Sequence, residues 1–335
     1  MNVLVTGATG FVGGHLVERL LARGDTITAL VRNPGRAADL TRRGVRLVEG
    51  GLDDLEALAR ACTGQELVYH LAGLVAARSE AEFLATNRDG TERLTRAARV
   101  GGLRRFVLVS SLAAAGPTTR GHPLGGTEPP RPVTRYGRSK LAAEGVVTAS
   151  DLDWSIIRPP AVYGPGDREL LRVFKAASFG IAPVFGDGSQ ELSLIYGPDL
   201  ADALVAVATT SATIGGIYPA CHPETITTRH LVELIGTSVG RRPFIFGLPA
   251  PVAHAVLWAT DTAARLTRRP TLLSVDKAAE FLAPAWLADP TRLTQATGWT
   301  ADHDFRMSRP GRGVVPPARL AMTQRGCLLP DALRG

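Results

Sequence analysis

Short apolar runs alternate with longer amphipathic segments through the first 165 residues: Asn2 to Thr6, then Gly13 to Arg23, Thr26 to Val31, Leu55 to Cys62, Leu67 to Leu71, Thr91 to Val100 and Phe106 to Ser110. Runs such as Val107-Leu108-Val109 are apolar on both faces, which a parallel sheet requires when helices cover both its sides. The rhythm predicts an α/β fold, a Rossmann-type doubly wound parallel sheet. After Tyr163-Gly164-Pro165-Gly166-Asp167 the rhythm loosens. The pattern predicts a dinucleotide-binding domain over 1–165 that regains about 194–215, a smaller interleaved substrate lobe over 166–193 and 216–305, and a poorly ordered Arg/Pro/Gly tail over 306–335.

The chain has 335 residues, 45% of them hydrophobic and 21% charged, so wholesale disorder and a coiled-coil rod are excluded. A net charge of +7 invites a nucleic-acid reading. The 38 basic residues, only three of them lysines, are scattered rather than gathered on one stripe, so no nucleic-acid partner is expected. Cys62, Cys221 and Cys327 are odd in number and widely spaced, which implies neither a disulfide framework nor a metal site and fits a cytoplasmic protein. The opening residues lack the basic, apolar and cleavage regions of a signal peptide. Stretches 203–223 and 243–260 are uncharged, but glycines or prolines break both before they reach the length of a span. Val252, Ala255, Val256 and Ala259 recur at helical spacing, which admits a peripheral membrane contact over 251–268; core packing is the plainer reading.

Gly7-Ala8-Thr9-Gly10-Phe11-Val12-Gly13 follows the first strand and opens the first helix. Gly7 permits the tight turn, Gly10 lets backbone approach a pyrophosphate, and Gly13 lets helix and strand pack closely, so Gly7, Thr9, Gly10, Phe11, Val12 and Gly13 form the candidate cofactor cradle. The second strand ends Val31-Arg32, without the acid that accepts from an NAD ribose. Arg32, helped by Asn33 and Arg36, suits a 2′-phosphate, which favours NADP(H) over NAD(H).

Tyr136 and Lys140 stand four residues apart, on one helical face. A nearby cation lowers a tyrosine pKa toward neutrality, which equips Tyr136 to exchange a proton with a substrate hydroxyl or carbonyl. The strand Phe106–Ser110 offers Ser110 and Ser111 as hydroxyl donors, and Ser111 lies nearer the carboxyl edge where such sheets bind ligands. Ser111, Tyr136 and Lys140 are the candidate catalytic residues.

Thr6-Gly7-x-x-Gly10-x-x-Gly13, Tyr136-x-x-x-Lys140 and Arg158-Pro159-Pro160-Ala161-Val162-Tyr163-Gly164-Pro165-Gly166-Asp167 together resemble the extended short-chain dehydrogenase/reductases of the NAD-dependent epimerase/dehydratase group, over residues 1 to about 300. The resemblance implies a Ser-Tyr-Lys triad and cofactor contacts at Leu52, Leu71, Ala72, Gly73, Tyr136, Lys140, Pro159 and Val162. It also implies a structural asparagine at Asn87 and a homodimer through helices that include the one bearing Tyr136; His70, read on its own, is a core histidine with no chemical role. Two departures stand out: Gly50-Gly51-Leu52 lacks the usual acid before leucine, and Tyr196-Gly197-Pro198-Asp199 replaces the usual Val-Asp-Asp pattern. Val31-Arg32-Asn33-Pro34 and Ser110 to Pro117 look more like the 3β-hydroxysteroid dehydrogenase and dihydroflavonol reductase branches. The expected activity is hydride transfer between nicotinamide and a small-molecule secondary alcohol or ketone. Leu248, Pro249, Val252, Val256, Leu257 and Trp258 are candidates to line an apolar substrate pocket. A nucleotide-sugar epimerase/dehydratase with tightly held NAD, and a non-catalytic dinucleotide sensor, are the rival readings.

Overall fold

The computed structural model describes residues 1–267 and 270–303. The expectation for 306–335 lies outside the described residues. In chain order, β1 (Asn2–Thr6), α1 (Phe11–Ala22), β2 (Thr26–Val31), α2 (Ala38–Arg42), β3 (Arg46–Glu49), α3 (Leu55–Cys62) and β4 (Leu67–His70) build the first half of a sheet. The chain continues through α4 (Glu80–Asn87), α5 (Asp89–Val100), β5 (Arg105–Val109), the short α6 (Leu112–Ala115), α7 (Arg135–Thr148) and β6 (Asp153–Arg158). Beyond lie β7 (Ala161–Tyr163), α8 (Arg168–Ser178), β8 (Ile181–Phe185), β9 (Glu191–Tyr196), α9 (Gly197–Thr209) and β10 (Gly216–Pro219). The last elements are β11 (Thr225–Thr227), α10 (Thr228–Ser238), β12 (Phe244–Leu248), α11 (Ala250–Leu266), α12 (Ala278–Phe281), β13 (Ala285–Trp286) and α13 (Thr291–Thr297).

Seven parallel strands form the main sheet in the order β3-β2-β1-β4-β5-β6-β10. Side-chain alternation assigns its two faces. Val3 and Val5 join one core with Leu16 and Leu20 of α1 and Leu200 and Leu204 of α9, while Leu4 joins the other with Leu58 of α3, Leu94 of α5 and Val147 of α7. Each fully buried leucine contributes about 1.5–3 kcal/mol relative to exposure. Strand order reverses between β1 and β4, so the loops after Thr6 and His70 leave the sheet side by side, where ligands bind such folds.

The second lobe is built on β9, which pairs with β7 and β13 in parallel and with β11 antiparallel; β8 and β12 form a separate parallel pair. Two boundaries differ from the sequence reading. Strand β10 completes the main sheet by pairing with β6, so the first domain runs past residue 215. Gly215-Gly216 reads as a break in the sequence, yet Gly216 opens an edge strand whose Ile217 and Tyr218 pack on the sheet. Leu194–Tyr196 stays in the small sheet, and only α9 returns to pack beside α1. The acid retained at Asp199 accepts from the His303 backbone N–H (3.0 Å) and pairs with its ring Nδ1 (2.7 Å), tying the end of the described chain to α9.

Candidate active site

The turn after β1 is shaped by space that only glycine leaves. Gly7 has φ +79°, and a Cβ there would lie 2.7 Å from the Ala72 amide nitrogen; one on Gly13 would lie 2.1 Å from the Gly7 carbonyl oxygen. The turn therefore packs directly on the Leu71–Ala72 backbone. Helix α1 begins at Gly10 with no side-chain cap and no acid in its first turn, so its free N–H groups and positive dipole end face the cleft. These residues fit a dinucleotide pyrophosphate. The cleft they open has a volume of about 1050 Å³ and includes Thr9, Phe11, Val12, Leu71, Gly73, Pro159 and Val162.

Ser111, Tyr136 and Lys140 line the same cleft. Thr134 caps α7 by accepting from the Gly137 amide (3.1 Å), and a Cβ on Gly137 would lie 2.3 Å from the Ala113 carbonyl oxygen. That close approach seats the start of α7 on α6 and brings Tyr136 to Ser111, which hydrogen-bonds the phenol. Ser110, the other candidate, also borders the cleft, but it is buried and its hydroxyl donates to Glu144 Oε1 (2.5 Å), leaving Ser111 as the serine that meets the phenol. Lys140 is buried and donates from Nζ to the Val109 carbonyl at the end of β5 (2.7 Å).

Burial moves both ionisable groups. Tyr136 is pushed up to about 12, with the Ser111 hydrogen bond opposing and the Glu280 carboxylate adding to the rise. The expected drop of the phenol toward neutrality is therefore not found: desolvation of the buried ring outweighs the Ser111 hydrogen bond that opposes it. Lys140 is lowered to about 8 by burial, with Glu144 one turn along pulling it back up. Glu144 in turn receives Arg158 through Nε (2.9 Å) and Nη2 (2.6 Å), a buried two-pronged pair beneath the site.

Neighbouring polar residues hold the frame. Thr91 donates to the Asn87 carbonyl (2.6 Å), so His70 donates from Nε2 to Thr91 (2.9 Å) and accepts at Nδ1 from Thr6 (2.7 Å). Burial lowers His70 to about 3, which keeps it neutral in that relay and without chemistry to do. Asn87 clamps Leu74 through both its amide groups and donates to Ser139 on α7 (2.9 Å), a positioning role between the Gly73 loop and the Tyr136 helix.

The remaining expected cofactor residues sit elsewhere. Ala72 supports Gly7 from behind and bonds Thr6 (3.2 Å), while Leu52 packs on Gly90. Arg32 is exposed just beyond β2, and among the described residues no carboxylate pairs with it or with Arg36; Asn33 is occupied in accepting from the Arg36 amide (3.3 Å). The space beside Gly51 is taken by the Asp53 carboxylate.

A second pocket of about 370 Å³ shares Val75 and Tyr136 with the first. Tyr136 thus stands at the junction. Of the apolar residues expected to line a substrate pocket, only Leu257 is buried, and Val252, Val256 and Trp258 face solvent. The wall contributed by α11 is instead Asp261, Ala264 and Arg265, on the side of the helix opposite the exposed Val256 and Leu266. The sequence reading also missed Lys277, one of the three lysines, whose Nζ lies 5.0 Å from the centre of the Tyr136 ring while bonding Glu280 (2.7 Å). Phe83 packs on that ring from α4 at 6.1 Å.

The switch-point glycine turn and its cleft define a Rossmann-type dinucleotide-dependent enzyme. Residues 3–221 match the family model described as NAD dependent epimerase/dehydratase family, and the chain belongs to that family. It is 34% identical over 297 residues to a ceramide reductase of Caulobacter vibrioides, covering 88% of both chains. It is 32% identical to a UDP-glucose 4-epimerase of Mycolicibacterium smegmatis over 61% of this chain and 72% of that one. The solved structure of MoeE5 in complex with UDP-glucose and NAD superposes with a TM-score of 0.74 at 26% identity, covering 91% of this chain and 95% of that one.

Proposed function

We propose that the protein is a reductase that uses NADPH to reduce a ketone on an apolar molecule, with Tyr136 as proton donor, Ser111 orienting it and Lys140 balancing charge. The observation that carries this reading is the meeting of Ser111, Tyr136 and Lys140 where the cofactor cleft joins the second pocket. The bound nicotinamide supplies hydride. A phenol held near 12 stays protonated at neutral pH, which suits delivery of its proton to a carbonyl oxygen. Ser111 fixes the direction of that phenol, and the Lys140 ammonium offsets the negative charge left behind.

The second pocket argues for a ketone rather than a nucleotide sugar. Its cations are already matched: Arg135 to Asp276, Arg265 to Asp261, Lys277 to Glu280 and Arg78 to Glu82. A diphosphate would find no unpaired positive charge among them, whereas Val75, Ala76, Phe83 and Val275 offer apolar contact. The relative named as a reductase supports the same choice, and the named epimerase supports the rival. Purified protein should consume NADPH with long-chain ketones. Turnover of UDP-glucose without NADPH consumption, with NAD released on denaturation, would overturn the assignment.

Two further outcomes follow from the same groups. Arg32→Ala should weaken NADP+ binding by about 10- to 100-fold, the loss of one charge-assisted contact, and leave NAD+ affinity unchanged in paired titrations. Because Lys140 is protonated below about 8 and loses its charge above it, kcat/KM for reduction should be level at lower pH and fall as pH rises through that value.

A further inference from the structure

Helix α11 is held by a narrow edge. Of its seventeen residues only Ala253 and Leu257 are buried, and it packs mainly on the Val275–Lys277 turn and α12. Val252, Val256, Ala259, Ala263 and Leu266 advance by steps of three and four, so they share one helical face, and all five are exposed, Leu266 to 81%. Ala255 and the 64%-exposed Trp258 flank that stripe. A surface helix normally turns such a stripe inward; here it points to solvent.

Charge identifies what covers it. Residues 243–260 contain no Asp, Glu, Lys or Arg, and in the sequence the segment is flanked by Arg241 and Arg242, both exposed, on one side and by Arg268 and Arg269 on the other. The one acid in that frame, Asp261, receives Arg265 Nη2 at 2.9 Å. An apolar stripe with a tryptophan at its flank, in a charge-free segment that arginines flank along the sequence, complements the apolar boundary and negative headgroups of an anionic bilayer. A second copy of this chain would bring the same arginines against one another. Among the described residues no helix is long and apolar enough to cross a membrane, so the fit is to its surface.

We propose that the outer face of α11 docks the protein on anionic lipid, the helix lying in the plane of the interface. Its inner side carries Asp261, Ala264 and Arg265 on the wall of the pocket that holds Tyr136, so docking sets that pocket one helix thickness, about 10 Å, from the lipid. Docking is independent of the reductase assignment, since it needs neither cofactor nor turnover.

The full chain should co-float with vesicles of phosphatidylcholine mixed with phosphatidylglycerol and bind weakly to phosphatidylcholine alone, with added salt reducing the bound fraction. Val252→Asp combined with Val256→Asp should cut binding at least about tenfold while circular dichroism and NADPH affinity stay at wild-type values. Trp258→Phe should abolish the blue shift in tryptophan emission that vesicles induce. Absence of flotation with either vesicle, or equal flotation of the double variant, overturns the proposal. So does a wild-type dimer that the double variant converts to monomer without any lipid binding.

Discussion

Tyr136→Phe is expected to lower kcat/KM for NADPH-dependent ketone reduction by about 10²- to 10⁴-fold, the range for loss of a positioned proton donor. The ring itself keeps its packing on Phe83 and its place under Lys277, so the fold and the cleft survive the change. NADPH affinity should therefore remain unchanged in a binding titration, and the loss should fall on kcat. A variant that retains its rate would move the proton donor to another group and remove the basis for the proposed chemistry.

Glu144→Ala should destabilise the protein by about 3–5 kcal/mol in urea unfolding, the cost of leaving a buried charged partner without its counterion. Glu144 and Arg158 are almost wholly shielded, at 2% and 3% side-chain exposure, and the substitution also strips Ser110 of its acceptor. Replacing both charges, Glu144→Met with Arg158→Leu, should recover most of that loss because no unpaired ion remains. Glu144 is also the charge that opposes burial at Lys140. Its removal should move the alkaline fall in kcat/KM to lower pH in both variants, a readout that a purely structural pair would leave in place.

The shape of the turn after β1 was legible because glycine spacing encodes it directly: Gly7 and Gly13 sit where a Cβ would strike backbone. Tyr136 and Lys140 were legible for the same reason, since helical periodicity alone puts them on one face. Arg158 was read as part of a motif, yet its partner Glu144 lies on another element fourteen residues earlier, and no local spacing announces a buried pair. Lys277 was invisible as a neighbour of Tyr136 because 141 residues of chain separate two groups that the second lobe folds together. The α11 stripe was visible as a periodicity and ambiguous in direction: the same spacing serves a core and a lipid surface.

By itself the sequence determined the doubly wound sheet, the tight glycine turn after β1 and the tyrosine–lysine face, because each follows from residue spacing within one or two elements. Tertiary structure decided which serine meets the phenol, that burial holds Tyr136 high and Lys140 low, and that α11 turns its apolar side outward. Those outcomes depend on which groups exclude water from one another, and exclusion is a property of packed surfaces that no single segment carries.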